Sequence, residues 1–400
     1  MAKLIDITGK ALSGEWGTDD ETGNGIPVLR TTNFTNDGMV NYKDVVTRNI
    51  SKKNISDKFL RKGDIIIEKS GGSDKCPVGR VIYFDGEENT YLFNNFTGLL
   101  RVKNQEIWYP RYIFYSLYAN YKRGGTRPFE NKTTGLHNLK TDEYISRYDI
   151  KENDKIEQVF ICEKLDKISH LINCKKKQLN LLDELVKARF VEMFGDPQLN
   201  PKGWKVVNIS EVVGGKVSNG FFAKRDDYVN DGNVSVLGVA NIVNRMYSKI
   251  DELPRTNADD NEIKKYEVKY GDMLFCRSSL VAEGIGKASI IPENVQKNIL
   301  FECHVIRLQL DLNKCVPEFM QTLSTMDSFR NQVIAQSKTA TMTTIGQDGI
   351  LKTDIILPPL ESQRKFYNFI KQVNKSKSAI KKSLEETQIL FDSLMQKYFG

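Results

Sequence analysis

The sequence predicts an α+β protein, with two similar mixed α/β domains separated by two long antiparallel helices that form a coiled coil. Three observations support this class. Residues 156–195 and 361–400 are predicted to form two similar long helices, because both segments are charged, carry apolar stripes and end in Phe-Gly. The offset of 205 residues (400 − 195) holds without a gap back to Gln158 and Gln363. The segments that precede the two helices also share landmarks in a common order.

The first domain is expected over residues 1–150 and the second over residues 198–355. Gly63-Asp64 is followed by three apolar residues, as is Gly271-Asp272. Each Gly-Asp pair reads first as a turn that feeds a buried strand. Another landmark, Leu-Lys-Thr-Asp, begins at Leu139 and recurs letter for letter. Any single pair is weak evidence, whereas the ordered set indicates a duplicated domain.

Short apolar runs bounded by Gly, Asp, Asn and Pro predict strands in both domains. Residues 110–121 and 317–333 each begin with proline, which is common in the first turn of a helix, and both are predicted to be helices. The expected architecture of each domain is therefore rich in strands, with short helices.

The two helical segments, placed at 156–195 and 356–400, carry the narrow apolar stripe of a coiled-coil seam. About forty residues at 1.5 Å per residue span roughly 60 Å. One such helix cannot bury its stripe alone, and a complete domain between the two favours antiparallel pairing. The apolar seam positions are Leu165, Ile168, Ile172, Leu179, Leu182, Val186, Ile370, Val373, Ile380, Leu384, Phe391 and Leu394. The polar seam positions, which would weaken the seam but fix its register, are Lys175, Arg189, Lys377 and Thr387.

Composition limits the class of protein. Four hundred residues fit two or three domains, and a hydrophobic content of 40% is sufficient for real cores. The six cysteines form no C-x-x-C pair, so neither a zinc site nor a disulfide framework is indicated, and a reduced cytoplasm is the expected location. No stretch approaches the ~20 apolar residues of a membrane span. The net charge of +7 is compatible with a polyanion but does not require one.

Catalytic and metal-binding constellations are not apparent. The chain contains no G-x-x-x-x-G-K-[ST] phosphate loop. Asn200-Pro201 lacks the second proline expected of an amino-methyltransferase, and Asp64 with Glu68-Lys69 has the residue types of a nuclease at the wrong spacing. The three histidines are far apart in sequence, and His304, in a predicted strand, is expected to be a core or surface residue. The sequence predicts no catalytic residue, no metal site and no bound cofactor.

Two donor-rich segments in each half could contact a polyanion. In the first half they lie near residues 69–75 and 123–135, and in the second near 277–279 and 337–344. Glycine allows the backbone to approach a phosphate, Ser, Thr and Lys donate to its oxygens, and Arg or Lys can bond guanine. A flexible polar loop is the competing interpretation for each residue taken singly. The candidate nucleic-acid contacts are Lys69, Ser70, Arg80, Arg123, Arg127, Lys132, Thr133, Arg277, Ser278, Lys287, Lys338, Thr339 and Thr341.

The whole pattern resembles the DNA-specificity subunit of type I restriction–modification systems. That family alternates target-recognition domains with long helical regions. Leu357-Pro358-Pro359-Leu360 resembles the family's entry into a helical region, and Phe194-Gly195-Asp196-Pro197 followed by Gly203-Trp204 resembles the exit into its second domain. The first half departs from the Pro-Pro-Leu pattern, with Tyr148-Asp149-Ile150 before Gln158, which blurs the first boundary by several residues.

The resemblance implies a subunit without catalytic activity that binds double-stranded DNA. Each domain would read one half of an asymmetric bipartite site, and the helices would set the spacer and dock two modification subunits. Those partners would use S-adenosylmethionine to methylate adenine, and ATP-dependent restriction subunits, with Mg²⁺, would cut unmodified DNA. Two alternatives remain open: a self-contained restriction or methyltransferase enzyme with its own reader domains, and a scaffold whose domains bind protein.

Overall fold

The computed structural model describes residues 1–52, 54–133 and 136–400, and for Lys132 and Thr133 it describes the backbone alone. The chain divides into two compact units. Unit 1 comprises residues 1–176 and 382–400, and unit 2 comprises residues 177–381. Each long helix thus contributes to both units. Within the described part of the chain, no helix is both long and apolar enough to cross a membrane.

The described part of unit 1 contains thirteen strands, four α-helices that begin in it and the end of the long C-terminal helix, with three short 3-10 turns at Thr31–Asn33, Ser56–Lys58 and Arg127–Phe129. The strands are β1 (Ala2–Lys3), β2 (Leu12–Ser13), β3 (Thr18–Asp19), β4 (Ile26–Leu29), β5 (Val46–Asn49), β6 (Ile65–Glu68), β7 (Ser70–Gly72), β8 (Val81–Tyr83), β9 (Leu92–Phe93), β10 (Thr97–Leu100), β11 (Glu130–Thr133), β12 (Leu136–Leu139) and β13 (Asp149–Ile150). The helices are α1 (Leu4–Thr8), α2 (Pro110–Lys122), α3 (Thr141–Arg147) and α4 (Lys155–Phe194), the last of which continues into unit 2.

Unit 2 contains twelve strands, with 3-10 turns at Ile209–Val212, Arg225–Asp227 and Ala282–Gly284. The strands are β14 (Lys205–Asn208), β15 (Val213–Asn219), β16 (Val234–Leu237), β17 (Arg255–Thr256), β18 (Asp272–Cys276), β19 (Ser278–Ser279), β20 (Ala288–Ile290), β21 (Ile299–Phe301), β22 (Val305–Leu310), β23 (Lys338–Thr339), β24 (Thr343–Thr344) and β25 (Asp354–Leu357). The helices are α5 (Val239–Ile242), α6 (Asp260–Tyr266), α7 (Pro317–Ser324), α8 (Asp327–Ala335), α9 (Gln347–Leu351) and α10 (Leu360–Phe399).

The sheets of the two units follow the same plan. The central sheet has the order β2-β10-β6-β8 in unit 1 and β15-β22-β18-β20 in unit 2. A two-stranded sheet pairs β1 with β13, as β14 pairs with β25, and a small sheet β11-β12-β7 matches β23-β24-β19. The remaining sheet differs, because β3 adds a fourth strand to β5-β4-β9 whereas β17-β16-β21 has three. The predicted fold class, two similar mixed domains with a pair of long helices, is confirmed.

The Gly-Asp landmarks lie at the start of a fully buried strand of each central sheet, β6 in unit 1 and β18 in unit 2. Gly63 and Gly271 have φ values of +92° and +83°, where glycine carries no steric penalty. Asp64 closes the turn by accepting the Arg61 backbone amide at 2.8 Å, and Asp272 accepts the Lys269 amide at 3.0 Å. The predicted turn feeding a buried strand is therefore what both units contain.

Helices α4 and α10 pack together in antiparallel fashion. In unit 1 the ammonium of Lys175 donates to the Ser383 hydroxyl at 2.9 Å. In unit 2 Lys377 forms an ion pair with Asp183. Also in unit 2, the rings of Phe190 near the end of α4 and Phe366 near the start of α10 lie 5.5 Å apart. Rising numbers in α4 thus meet falling numbers in α10. The polar groups Lys175 and Lys377 both bond across the seam, which is how such groups specify register.

The predicted seam residues lie along the covered side of the two helices. Leu165, Ile172, Val186, Ile370, Val373 and Phe391 are buried, and Ile168, Leu179, Leu182, Ile380, Leu384 and Leu394 are half-buried. The stripe omitted several rings that are also buried, including Phe194 in the core of unit 2 and Phe399 in the core of unit 1. These rings pack on the domains, so the two helices serve as core elements in addition to pairing with each other.

The helix predicted over residues 317–333 is interrupted, and that prediction was wrong at its centre. Helix α7 ends at Ser324 and α8 begins at Asp327. The hydroxyl of Ser324 donates to the Gln321 carbonyl at 2.6 Å, and that of Thr325 donates to the Thr322 carbonyl at 2.7 Å. Such side-chain bonds compete with the helical ladder and favour its termination.

Candidate nucleic-acid interface

The small sheet of each unit brings the two predicted polyanion segments together. In unit 1, β12 pairs with β11 on one side and with β7 on the other, so segments some sixty residues apart become neighbours. In unit 2, β24 joins β19 and β23 in the same way. The sequence indicated these segments separately, and strand pairing brings them side by side.

Lys69 and Ser70 of unit 1 lie where the central sheet passes into the small sheet. The Lys69 ammonium donates to the Ser13 hydroxyl at 3.1 Å, and burial lowers the pKa of this lysine. The Ser70 hydroxyl donates to the side-chain carbonyl of Asn138. These groups line an open depression of about 670 Å³, together with the ring of Phe96. Donors and acceptors converge there beside an apolar ring, a combination suited to the edge of a base.

Arg80 is engaged within unit 1. Its guanidinium donates to both carboxylate oxygens of Glu68, at 2.8 and 3.0 Å, and to the Thr31 carbonyl at 3.3 Å. The side chain of Glu68 is only 1% exposed, so this ion pair neutralises a buried charge. Bonding to Glu68 raises the pKa of Arg80. The geometry thus gives Arg80 a structural role beside the candidate surface.

A basic cleft of about 490 Å³ lies next to this ion pair. Lys75, Lys122, Arg123 and Arg127 line it and are exposed, and no carboxylate is among its lining residues in the described ranges. Arg127 bonds the Asp74 carbonyl at 3.4 Å. The candidate contacts chosen from the sequence included Arg123 and Arg127 but not Lys75, the last residue of segment 69–75, or Lys122, which directly precedes segment 123–135. Concentrated positive charge of this kind suits a phosphate backbone.

Unit 2 presents a related but chemically different surface. Arg277 donates to the Cys303 carbonyl at 3.2 Å, Ser278 pairs with Thr344 in the small sheet, and Lys287 donates to Asn244 at 2.8 Å. Lys338 and Thr339 form the edge strand β23, and Thr341 is exposed in the turn that follows. In unit 1, Lys132 and Thr133 belong to β11, and their side chains lie outside the described residues.

The geometry contains no catalytic constellation that we can identify among the described residues. Residues 1–52, 54–133 and 136–400 include no group of three or more His, Cys, Asp or Glu arranged to hold a metal ion. His137, a buried residue of β12, bonds the carboxylate of Glu130 in β11 at 3.1 Å and so links the two strands.

Comparison with known proteins gives a family match for part of the chain, most of it in unit 2. Residues 201–389 match the sequence model of the type I restriction modification DNA specificity domain, which confirms the resemblance seen in the sequence. No curated protein matches the chain at the sequence level.

Two solved structures share the fold over all of this chain. The type I restriction–modification system S subunit from M. genitalium has 13% identity, with 95% of that chain covered and a TM-score of 0.57. A second structure concerns the structural basis of complex assembly and conformational transition of the type I R-M system. It has 14% identity to this chain, with 96% of that chain covered and a TM-score of 0.52. At these identities the likeness concerns the fold.

Proposed function

We propose that this chain is the non-catalytic, DNA-reading subunit of a type I restriction–modification complex, in which each unit reads one half of an asymmetric bipartite site. The observation that supports this most directly is a duplicated sheet plan whose exposed side chains differ between the copies. A shared frame suits a common docking mode on DNA, and different side chains suit different half-sites. We place the chain in the cytoplasm, where its DNA target and reduced thiols are expected.

The basic cleft of unit 1 should contribute the electrostatic part of DNA binding. Each phosphate contact adds about −0.9 to the slope of log affinity against log salt. We expect Lys122→Ala, Arg123→Ala and Arg127→Ala each to make that slope shallower by about one. Titrations of the full chain, with its modification subunits, on a duplex carrying its site would measure the effect.

Lys167→Ala is the matched control, because Lys167 is an exposed lysine on α4 of the same unit. It should leave the slope unchanged, since only charges that contact phosphate release counterions on binding. Equal effects for all four variants would show that net charge alone matters, and a salt-independent affinity would favour a protein-binding scaffold.

We further propose that the paired helices set the distance between the half-sites. Both helices run from one unit into the other, the division falling after Lys176 in α4 and after Lys381 in α10. Inserting one heptad at each point preserves the apolar repeat and adds about 10 Å to each helix. At 3.4 Å per base pair, the preferred spacer should grow by about three pairs.

Methylome sequencing of cells that carry the double insertion would measure the spacer. A heptad inserted in α4 alone is the control. It shifts the apolar stripe of α4 along that of α10 and should therefore abolish methylation. Methylation at the original spacing by the double insertion would contradict the proposal.

Partner subunits would supply the chemistry in this scheme. We propose that the helices dock two modification subunits, with S-adenosylmethionine on those subunits and with ATP and Mg²⁺ on restriction subunits. The alternative is a self-contained enzyme. Incubating the purified chain with DNA and labelled S-adenosylmethionine separates the two, because methyl transfer by the chain alone would favour the enzyme.

A further inference from the structure

One turn of unit 1 is fixed by several hydrogen bonds yet displays an apolar ring. The turn runs from Asn94 to Thr97, just before β10, and the Thr97 amide donates to the Asn94 carbonyl at 3.1 Å. The Asn94 amide donates to the Leu29 carbonyl at 2.9 Å. Asn94 and Thr97 are buried, whereas Phe96 between them is 51% exposed. The carbonyl of Phe96 accepts the Lys69 amide at 2.8 Å, which ties the turn to the candidate surface.

Unit 2 repeats these three backbone hydrogen bonds. The Val305 amide donates to the Glu302 carbonyl at 3.0 Å, and the Glu302 amide donates to the Leu237 carbonyl at 2.9 Å. The third residue is His304, whose carbonyl accepts the Arg277 amide at 2.8 Å. His304 is exposed and lies in this turn, so its predicted place in a strand was wrong. The same rigid frame therefore presents a phenyl ring in one unit and an imidazole in the other.

Neither exposed ring is explained by the core of its own unit. A half-exposed phenyl ring gains less from folding than a buried one, because about half of its surface remains in water. The turn is stiff on both sides of the ring, so the position of the ring is defined before any partner arrives. The turn has the same backbone bonds in both units, but its third residue differs and lies beside a basic residue. This arrangement is expected of a residue that reads DNA sequence.

We propose that Phe96 and His304 are base-reading residues in the major groove. Phe96 packs against the C5-methyl group of a thymine in the half-site of unit 1. His304 donates a hydrogen bond to purine N7 in the half-site of unit 2. The C5-methyl and N7 groups both face the major groove, where apolar contact with thymine and donors to N7 distinguish base pairs. This inference rests on the proposed function, because it names the chemistry by which that surface discriminates.

Basic side chains beside each turn would bind the DNA phosphates while the exposed ring of the turn contacts a base edge. Lys69 and Arg277 directly follow the central strands β6 and β18, and each donates its backbone amide to the turn. Ser70 and Asn138 lie in the same depression as Phe96 and can bond neighbouring polar edges. The apolar ring supplies what these polar groups lack, namely discrimination of thymine from cytosine through the methyl group.

The first test replaces each thymine of the half-site in turn with deoxyuridine, which lacks only the methyl group. The full chain, with its modification subunits, should lose about fourfold in affinity at one position, the effect of one buried methyl. Phe96→Ala should bind more weakly and show no further loss at that position. Ile107→Ala is the control, because Ile107 is 56% exposed in unit 1 without lying on this turn, and it should keep the fourfold loss.

The second test replaces each purine of the other half-site with its 7-deaza analogue. Loss of one hydrogen bond should cost roughly fivefold at one position for the native chain and nothing further for His304→Phe. Phe96→His should alter base preference at one position of the first half-site and leave the second unchanged. This variant retains an exposed ring on the turn, so a folding defect is not expected to confuse the result.

The outcomes distinguish the base-reading role of the two rings from the proposed function of the chain. Sequence-specific binding without sensitivity to deoxyuridine or 7-deazapurine, or with equal sensitivity in the native chain and the variants, would overturn the base-reading role and leave the proposed function intact. A half-site that contains no thymine would also overturn the role of Phe96. Absence of sequence-specific DNA binding by the native chain would overturn both.

Discussion

Arg80→Ala is expected to lower the free energy of unfolding by about 3–4 kcal/mol, because it leaves the buried carboxylate of Glu68 without a counter-ion. The pair is bidentate at 2.8 and 3.0 Å, and Glu68 is almost fully buried. Removing one partner is costly even where the intact pair contributes little, since the remaining charge stays desolvated. Urea denaturation followed by circular dichroism would measure the change.

Unit 2 provides the compensating control for this substitution. At the places that correspond to Glu68 and Arg80 it has Cys276, which is buried, and Lys287, which bonds Asn244 instead of an acid. The double variant Glu68→Cys with Arg80→Lys should therefore recover most of the lost stability. Retained stability in Arg80→Ala, together with weaker DNA binding, would show that Arg80 is available to DNA and that the ion pair is dispensable.

The duplicated architecture could be predicted because the sequence contains long, regular patterns in both halves. The helical stripes repeat over forty residues, and landmarks such as Gly63-Asp64 occur at fixed places in both halves. A glycine with positive φ and an aspartate that closes the turn are local features, so their meaning does not depend on distant residues. The apolar stripes similarly predicted that the two long helices pair, because each stripe needs another apolar surface to cover it.

The details of the surface could not be predicted, because they depend on which strands become neighbours. The pairing of Arg80 with Glu68 follows from the register between β6 and β8, twelve residues apart in sequence. The cleft joins Lys75 to Lys122 only because α2 ends beside the segment that follows β7. The turn at Phe96 carries no motif, and it becomes visible only when its hydrogen bonds are compared with those around His304. Nothing in the residue types alone distinguishes such a turn from any polar loop.

A buried glutamine joins each domain to its long helix. Gln158 and Gln363 are fully buried, although glutamine is mostly an exposed residue. The side-chain carbonyl of Gln363 accepts the Val316 amide at 2.8 Å, and its amide group donates to the Lys314 and Pro358 carbonyls at 3.2 and 2.8 Å. Gln158 bonds the Tyr109 amide at 2.8 Å and two further carbonyls. One side chain therefore fastens the start of each long helix to the segment that begins α2 or α7.

Gln363→Met keeps the length of the side chain and removes all three hydrogen bonds, so it should cost about 3 kcal/mol of stability. The Val316 amide would be left without its acceptor in the core, next to the first turn of α7. Gln158→Met should have a similar effect in unit 1, because the bonding pattern is the same.

Gln372→Met is the matched control, since Gln372 is exposed on the same helix as Gln363, and surface changes of this kind stay within about 0.5 kcal/mol. Thermal unfolding of the three variants, with hydrogen exchange at the Val316 amide, would measure the effects. If Gln363→Met were as stable as Gln372→Met, the helix would be held to the domain by apolar packing alone, and the buried glutamines would be incidental to the joint.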